Sequence, residues 1–225
     1  MEKELQKLVV ENRLKWLPWI GGSYGNSEIR ILVIGESHYY NPDEENSFEK
    51  HQAPVFTREV IEEMAMQREY YNTKVFQNFH RALLGNDSFD ATKFWNNMAY
   101  YNFIQKPMNT NKGRPTNQDF TENWSGFIKL AEILKPTVCI FIGTSSANTF
   151  NGYFSQQNIE FIPVEYVEKI GANYAKKASI KINNKIVPIH FIKHTSQYFS
   201  WLKWNEYLNK TISQEIKFLE SIVDN

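Results

Sequence analysis

Ile29-Arg30-Ile31-Leu32-Val33-Ile34-Gly35-Glu36-Ser37-His38-Tyr39-Tyr40 is the stretch on which the fold turns. Residues 29–34 are aliphatic and largely β-branched, and a glycine stops the run. That is the pattern of a strand buried on both faces of a parallel sheet and followed by a tight turn. Directly after it come a carboxylate, a hydroxyl, an imidazole and two phenols. Ligands of open parallel sheets sit off the carboxyl ends of the strands, so this turn is the first place to look for chemistry.

The surrounding sequence supplies the partners for such a strand. Apolar spacing predicts a first helix over 2–14 with Leu5, Leu8 and Val9 inward. Thr57 caps a second helix, and Val75, Phe76, Phe79 and Leu83 mark a third that Gly85 closes. Residues 94–103 read as a second strand. Thr121 is expected to cap a helix that stops at Lys135-Pro136. Residues 138–142 form a third buried strand, ending in Gly143-Thr144-Ser145-Ser146 before a short helix. Alternation on either side of Asn183-Asn184-Lys185 predicts a hairpin whose second arm is the last sheet strand. Leu208, Ile212, Ile216, Leu219 and Ile222 complete a C-terminal amphipathic helix, and the flanking Tyr198, Phe199, Trp201 and Trp204 read as one helix burying an apolar face. Strands alternating with helices give an α/β fold, a three-layer α/β/α sandwich on a short, mostly parallel central sheet. At 225 residues one domain over 1–225 is expected.

Composition narrows the function classes. Hydrophobic residues at 42% and charged residues at 22% are those of a globular chain. The longest unbroken apolar stretch, 138–142, is too short to cross a bilayer, and Met1-Glu2-Lys3-Glu4 lacks the cationic start of a signal peptide. No membrane partner and a cytoplasmic location are expected. Cys139 is the only cysteine, which excludes an internal disulfide and any multi-cysteine metal cage. Charge balances at 25 against 25 but is unevenly placed. Residues 36–69 carry nine acids and three bases, whereas 169–205 carry seven lysines and no acid. A second acid-free window between Asp90 and Asp119 holds Lys93, Lys106, Lys112 and Arg114. Brought together by folding, the two windows would make one surface for a phosphate backbone; apart, they are solvated lysines.

Four strand exits carry the candidate site: Glu36, Ser37, His38 and Tyr39 after the first; Asn97, with Asn96 as the alternative, in the second; Gly143 to Ser146 after the third; His194, Thr195, Ser196 and Gln197 after the last. A carboxylate, an imidazole, an amide and aromatics around one crevice suit a flat heterocycle: the amide reads its edge, a ring stacks on its face, and imidazole stabilises charge on a departing base. Phe48 and Phe56 are alternative stacking rings. A Ser37, His194, Glu36 nucleophilic triad is disfavoured because Tyr39 stands where a serine elbow needs glycine. Zinc on His38, His190, His194 and Glu36 is disfavoured because a four-residue separation on a strand does not align His190 with His194.

The order of these motifs resembles the uracil-DNA glycosylase superfamily over about residues 29–201. Gly35-Glu36-Ser37-His38-Tyr39 lies where members carry Gly-Gln-Asp-Pro-Tyr or Gly-Glu-Ala-Pro-Gly, Leu134-Lys135-Pro136 through Gly143 looks like the family's third-strand segment, and His194-Thr195-Ser196 stands where His-Pro-Ser is usual. The resemblance implies a DNA glycosylase that flips a damaged or deaminated base and cleaves its N-glycosidic bond without a cofactor. It makes Glu36 and His194 catalytic. Ser37, His38, Tyr39, Asn97 and Ser196 would bind substrate, Asn97 selecting the base, and Tyr39 would crowd the pyrimidine 5-position. Lys106, Lys112, Arg114, Lys193, Gln197, Tyr198 and Lys203 would lie along DNA, single- or double-stranded, with a monomer favoured. Ser37 replaces the water-activating aspartate of the best-known branch, and His38 and Thr195 replace loop prolines. A competing expectation is therefore a protein that holds a nucleobase, nucleic acid or protein in this crevice without cleaving it.

Overall fold

The computed structural model describes residues 1–68, 74–109 and 113–223. Nine strands run β1 (Trp19–Ile20), β2 (Ile31–Gly35), β3 (Tyr39–Tyr40), β4 (Met98–Asn102), β5 (Met108–Asn109), β6 (Val138–Ile142), β7 (Phe161–Ile170), β8 (Asn173–Ile182) and β9 (Lys185–Ile192) among the described residues. Seven build one mixed sheet in the order β1-β4-β2-β6-β9-β8-β7. The central four, β4, β2, β6 and β9, are parallel, with Gly35 beside Asn102 and Ile142 beside Ile192 at their exits. β1 and the β7–β8–β9 meander close the two sides antiparallel.

Helices cover both faces. The helices are α1 (Glu2–Val10), α2 (Ser47–Lys50), α3 (Phe56–Val60), α4 (Val75–Leu84), α5 (Ala91–Asn96), α6 (Asn117–Leu134), α7 (Ala147–Phe154), α8 (Trp201–Thr211) and α9 (Ser213–Val223), and α3 continues as a π-helical turn, Ile61–Met66. Strand residues alternate between two cores. Leu32 and Ile34 pack with Trp124 and Phe127 of α6 and Phe150 of α7; Ile31 and Val33 pack with Phe79 of α4, Trp95 of α5 and Trp204 of α8. Fully buried β2 and β6 explain why each reads as an unbroken apolar run.

Several local expectations are corrected. The first helix stops at Val10 rather than residue 14, because the chain turns at Asn12 with φ 55°. The segment 94–103 is not one strand: Asp90 caps α5 by accepting the Lys93 amide at 2.9 Å, and β4 begins only at Met98. The long helix starts before Thr121; Thr116 caps it in a capping box with Asp119, and the Thr121 hydroxyl donates to the Asn117 carbonyl inside it. The C-terminal helix is two helices broken at Ile212, and Tyr198 lies outside both, 92% exposed with φ 58°. β7 was not expected. Pro163 interrupts its pattern, and its pairing with β8 has two register shifts, as befits an edge strand.

Candidate functional site

The exits of β2, β4, β6 and β9 converge on a cleft of about 480 Å3, with Gly35, Asn102, Ile142 and His194 in its wall. The chain leaves β2 for β4 on one side and later returns to β6 on the other, so the cleft lies where strand order reverses. Backbone ladders hold the first exit turn in place. Phe103 donates its amide to the Gly35 carbonyl and Ile104 to the Glu36 carbonyl, both at 2.9 Å, and Met108 donates to His38 at 2.8 Å. β3 and β5 then pair in parallel and fix Tyr39 at the rim.

Glu36 is the acid of the cleft. Its side chain is 12% exposed, Oε1 accepts the Tyr39 hydroxyl at 2.7 Å, and the Arg114 guanidinium stands 3.6 Å away. Arg114 also lies over the Tyr39 ring, 5.8 Å from its centroid. Burial and the bond to Glu36 push the Tyr39 phenol up to about 12, so it stays a donor. Oε2 lies on the side of Gly143, 3.8 Å from where a Cβ on that residue would stand.

His194 faces Glu36 across the same space. Its Nδ1 lies 3.0 Å from the Ser196 Oγ and 3.3 Å from the Ser196 amide nitrogen. The amide can only donate, so Nδ1 is the acceptor and Nε2 carries the ring proton. Desolvation by the cleft walls lowers the imidazole pKa; Glu36 pulls it back up and Arg114 pushes it down, and the net direction is downward. The result is a neutral imidazole with an N–H to donate, next to a carboxylate that can only accept.

The amide side chain that lines the cleft is that of Asn102, and Asn97 is not among its lining residues. Asn97 lies at the amino end of β4, where it closes α5 and donates Nδ2 to the Lys93 carbonyl at 2.9 Å, away from the cleft. Asn102, 2% exposed, takes the place at the exit of the strand. Its Oδ1 accepts the Tyr100 hydroxyl at 2.9 Å, which fixes the plane of the amide. A Cβ on Gly35 would stand 2.1 Å from the Tyr100 hydroxyl and 2.2 Å from Asn102 Oδ1, so this pair is the reason for glycine there.

The remaining residues divide. Ser37 lines the cleft but donates its hydroxyl to the Lys106 carbonyl at 2.7 Å, so it clamps two loops. His38 is buried against Trp16 and Phe56 and bonds Thr57 Oγ1 at 2.8 Å; burial and neighbouring His51 push its pKa down to about 3. Phe56 and Phe76 line the cleft's apolar end, whereas Phe48 packs on Tyr40. His190 is buried in β9, and no group of three metal-ligating side chains among the described residues could hold an ion.

Among the described residues the basic windows do not merge into one surface. Lys106 is tied to Asp119, Lys181 pairs with Glu160, and Lys193 donates to the Tyr198 carbonyl at 2.6 Å. Lys185 and Lys93 lie at the amino ends of the parallel strands, away from the cleft. Lys176 is buried, donating to Asn148 Oδ1 at 3.0 Å. Among the described residues, Arg114 alone of the expected DNA-contacting cations lines the cleft. Gln197 and Tyr198 border an adjoining groove of about 430 Å3 with Lys74 and Arg81, which share α4 and its cap and were not expected; Ser196 lines both spaces. Lys203 is exposed on α8, and Lys112 lies outside the described residues. The sequence matches no protein-family model and no curated protein.

Proposed function

We propose that the cleft takes a nucleobase extruded from DNA and hydrolyses its N-glycosidic bond, in a fold of the uracil-DNA glycosylase type. The observation that carries this reading is the meeting of Glu36, Asn102 and His194 at the exits of three strands in a space of about 480 Å3, within the range of ~300–1,000 Å3 usual for small-ligand sites. Asn102 Nδ2 donates to an acceptor on the base edge. His194 Nε2–H donates to the base oxygen that gains negative charge as the C1′–N bond breaks; its Nδ1 is fixed by the Ser196 amide, so no reorganisation is needed. Glu36 stabilises the positive charge that develops on the sugar and orients the water that adds to C1′. The water that bonds C1′ gives up a proton through Glu36 to solvent as the C1′–N bond breaks, and the base, leaving as an anion, takes one proton from solvent, so no net proton is gained or lost. Tyr198 and the groove beside it lie where the flanking strand would run.

One observation favours a second reading, binding without cleavage: the Ser37 hydroxyl is committed to a backbone carbonyl, so the proton acceptor of the best-known branch has no counterpart at that position. Oligonucleotides bearing uracil, hypoxanthine or oxidised bases, single- and double-stranded, followed by alkaline cleavage at abasic sites, separate the two. Strand breaks that vanish in Glu36→Gln support hydrolysis. Binding without breaks favours the second reading, and neither binding nor breaks refutes both.

A further inference from the structure

At the end of the sheet opposite the cleft, a second cavity of about 480 Å3 opens between the amino ends of β2 and β6 and the β8–β9 turn. Three cations line it, Arg30, Lys135 and Lys185, and no acid does. None of the three takes part in an ion pair among the described residues. Nearby Glu132 is engaged by Lys129 at 2.9 Å, and Glu28 does not line the cavity. In a chain whose formal charge sums to zero, this is an uncompensated cluster.

The cavity is framed rather than loose. Arg30 Nε donates to the Lys135 carbonyl at 2.6 Å and Nη1 to the Ser27 carbonyl at 3.2 Å, which fixes the guanidinium without neutralising it and leaves Nη2 for a ligand. Thr137 Oγ1 accepts the Arg30 amide at 2.9 Å. Asn183, left-handed at φ 49°, donates Nδ2 to the Glu132 carbonyl at 2.8 Å and pins the hairpin turn to the end of α6. Ile186, 48% exposed, adds an apolar wall.

We propose that this cavity binds a di- or triphosphate, with the guanidinium and two ammonium groups on the phosphate oxygens. Two or more negative charges are needed to compensate three cations, and a planar guanidinium with flanking lysines is the usual donor set for phosphate. The apolar wall suits the organic part of a nucleotide. The site is independent of the reading of the cleft.

The test is calorimetric titration of the full chain with inorganic tripolyphosphate and, separately, with ATP. Saturable one-to-one binding is expected, weakened about tenfold by Lys185→Gln or Lys135→Gln, the scale of one charge-assisted contact, and unchanged by Arg114→Gln in the cleft. Both lysines are exposed and can be changed without touching the core, whereas Arg30→Gln also loses the strap to Lys135. Tighter ATP than tripolyphosphate assigns the apolar wall to the nucleoside; equal affinities assign the site to phosphate alone. No saturable binding, or binding lost in Arg114→Gln but kept in the lysine variants, overturns the proposal.

Discussion

Acidification provides a prediction that can be worked from buried histidines. His80 lies wholly buried and accepts the Trp95 indole N–H at 3.0 Å. His190 is 1% exposed, with Nδ1 unpartnered among the described residues. Burial, with neighbouring charge, pushes His38 and His80 down to about 3 and His190 to about 4. The unfolded chain takes up protons near pH ~6.5 while the native protein stays neutral there, so stability falls as pH falls below that value. Each such histidine contributes a slope of about 1.4 kcal/mol per pH unit. From about pH 7 to about pH 5.5 three of them remove about 4 kcal/mol together, a large part of the ~5–15 kcal/mol of a typical domain. The figure depends only on the native values lying well below this window, and ordinary carboxylates titrate beneath it. Urea unfolding at the two pH values measures it, and His190→Leu should remove about a third of the slope. A stability difference below about 1 kcal/mol between the two conditions would mean that these imidazoles are not neutral and buried as described.

Three further outcomes follow from the cleft. The NMR titration of His194 should move up in Arg114→Ala and further down in Glu36→Gln, since the first removes a cation that lowers its pKa and the second an anion that raises it; no change in either variant would separate the three groups. Gly35→Ala should destabilise by ~1–3 kcal/mol, the range for forced overpacking, and combining it with Tyr100→Phe should recover part of that loss because the nearest clashing atom is gone. Strict additivity of the two would count against the close packing of Gly35, Tyr100 and Asn102. Under the proposed reading DNA binding should weaken only shallowly with salt, because Lys106 and Lys181 are already paired with acids, and a slope implying six or more released counterions would contradict the dispersed cations.

What could be read from the sequence was local. The run 138–142 needed no partner to be recognised, and it is β6 residue for residue. Gly85 closes α4 at φ 73°, and Asn183 and Asn184 both take the positive φ that a tight hairpin needs. The first exit turn and the last share a cleft, as the rule for open sheets required. Where aromatic residues are dense, periodicity misled. Phe94 and Trp95 suit a strand by propensity, yet they bury their rings from a helix that Asp90 caps, a signal present in the sequence and outweighed. Asn97, expected within that strand, instead closes α5 ahead of it, and the residue at the exit of β4 is Asn102. Charge windows failed for a different reason: a strand hairpin carries neighbouring lysines to opposite ends of the sheet, and their partners, such as Glu160 for Lys181, come from elements whose contact no linear window reveals.

In the proposed function Asn102, His194 and Glu36 grip one extruded base. A crystal structure of the Glu36→Gln variant with an oligonucleotide that the wild type cleaves tests it most directly. The base is expected between these residues, with an acceptor of its edge within hydrogen-bond distance of Asn102 Nδ2 and a carbonyl oxygen within reach of His194 Nε2. A base left stacked in the strand, or seated elsewhere while this cleft stays closed to it, would rule out the glycosylase reading of the cleft.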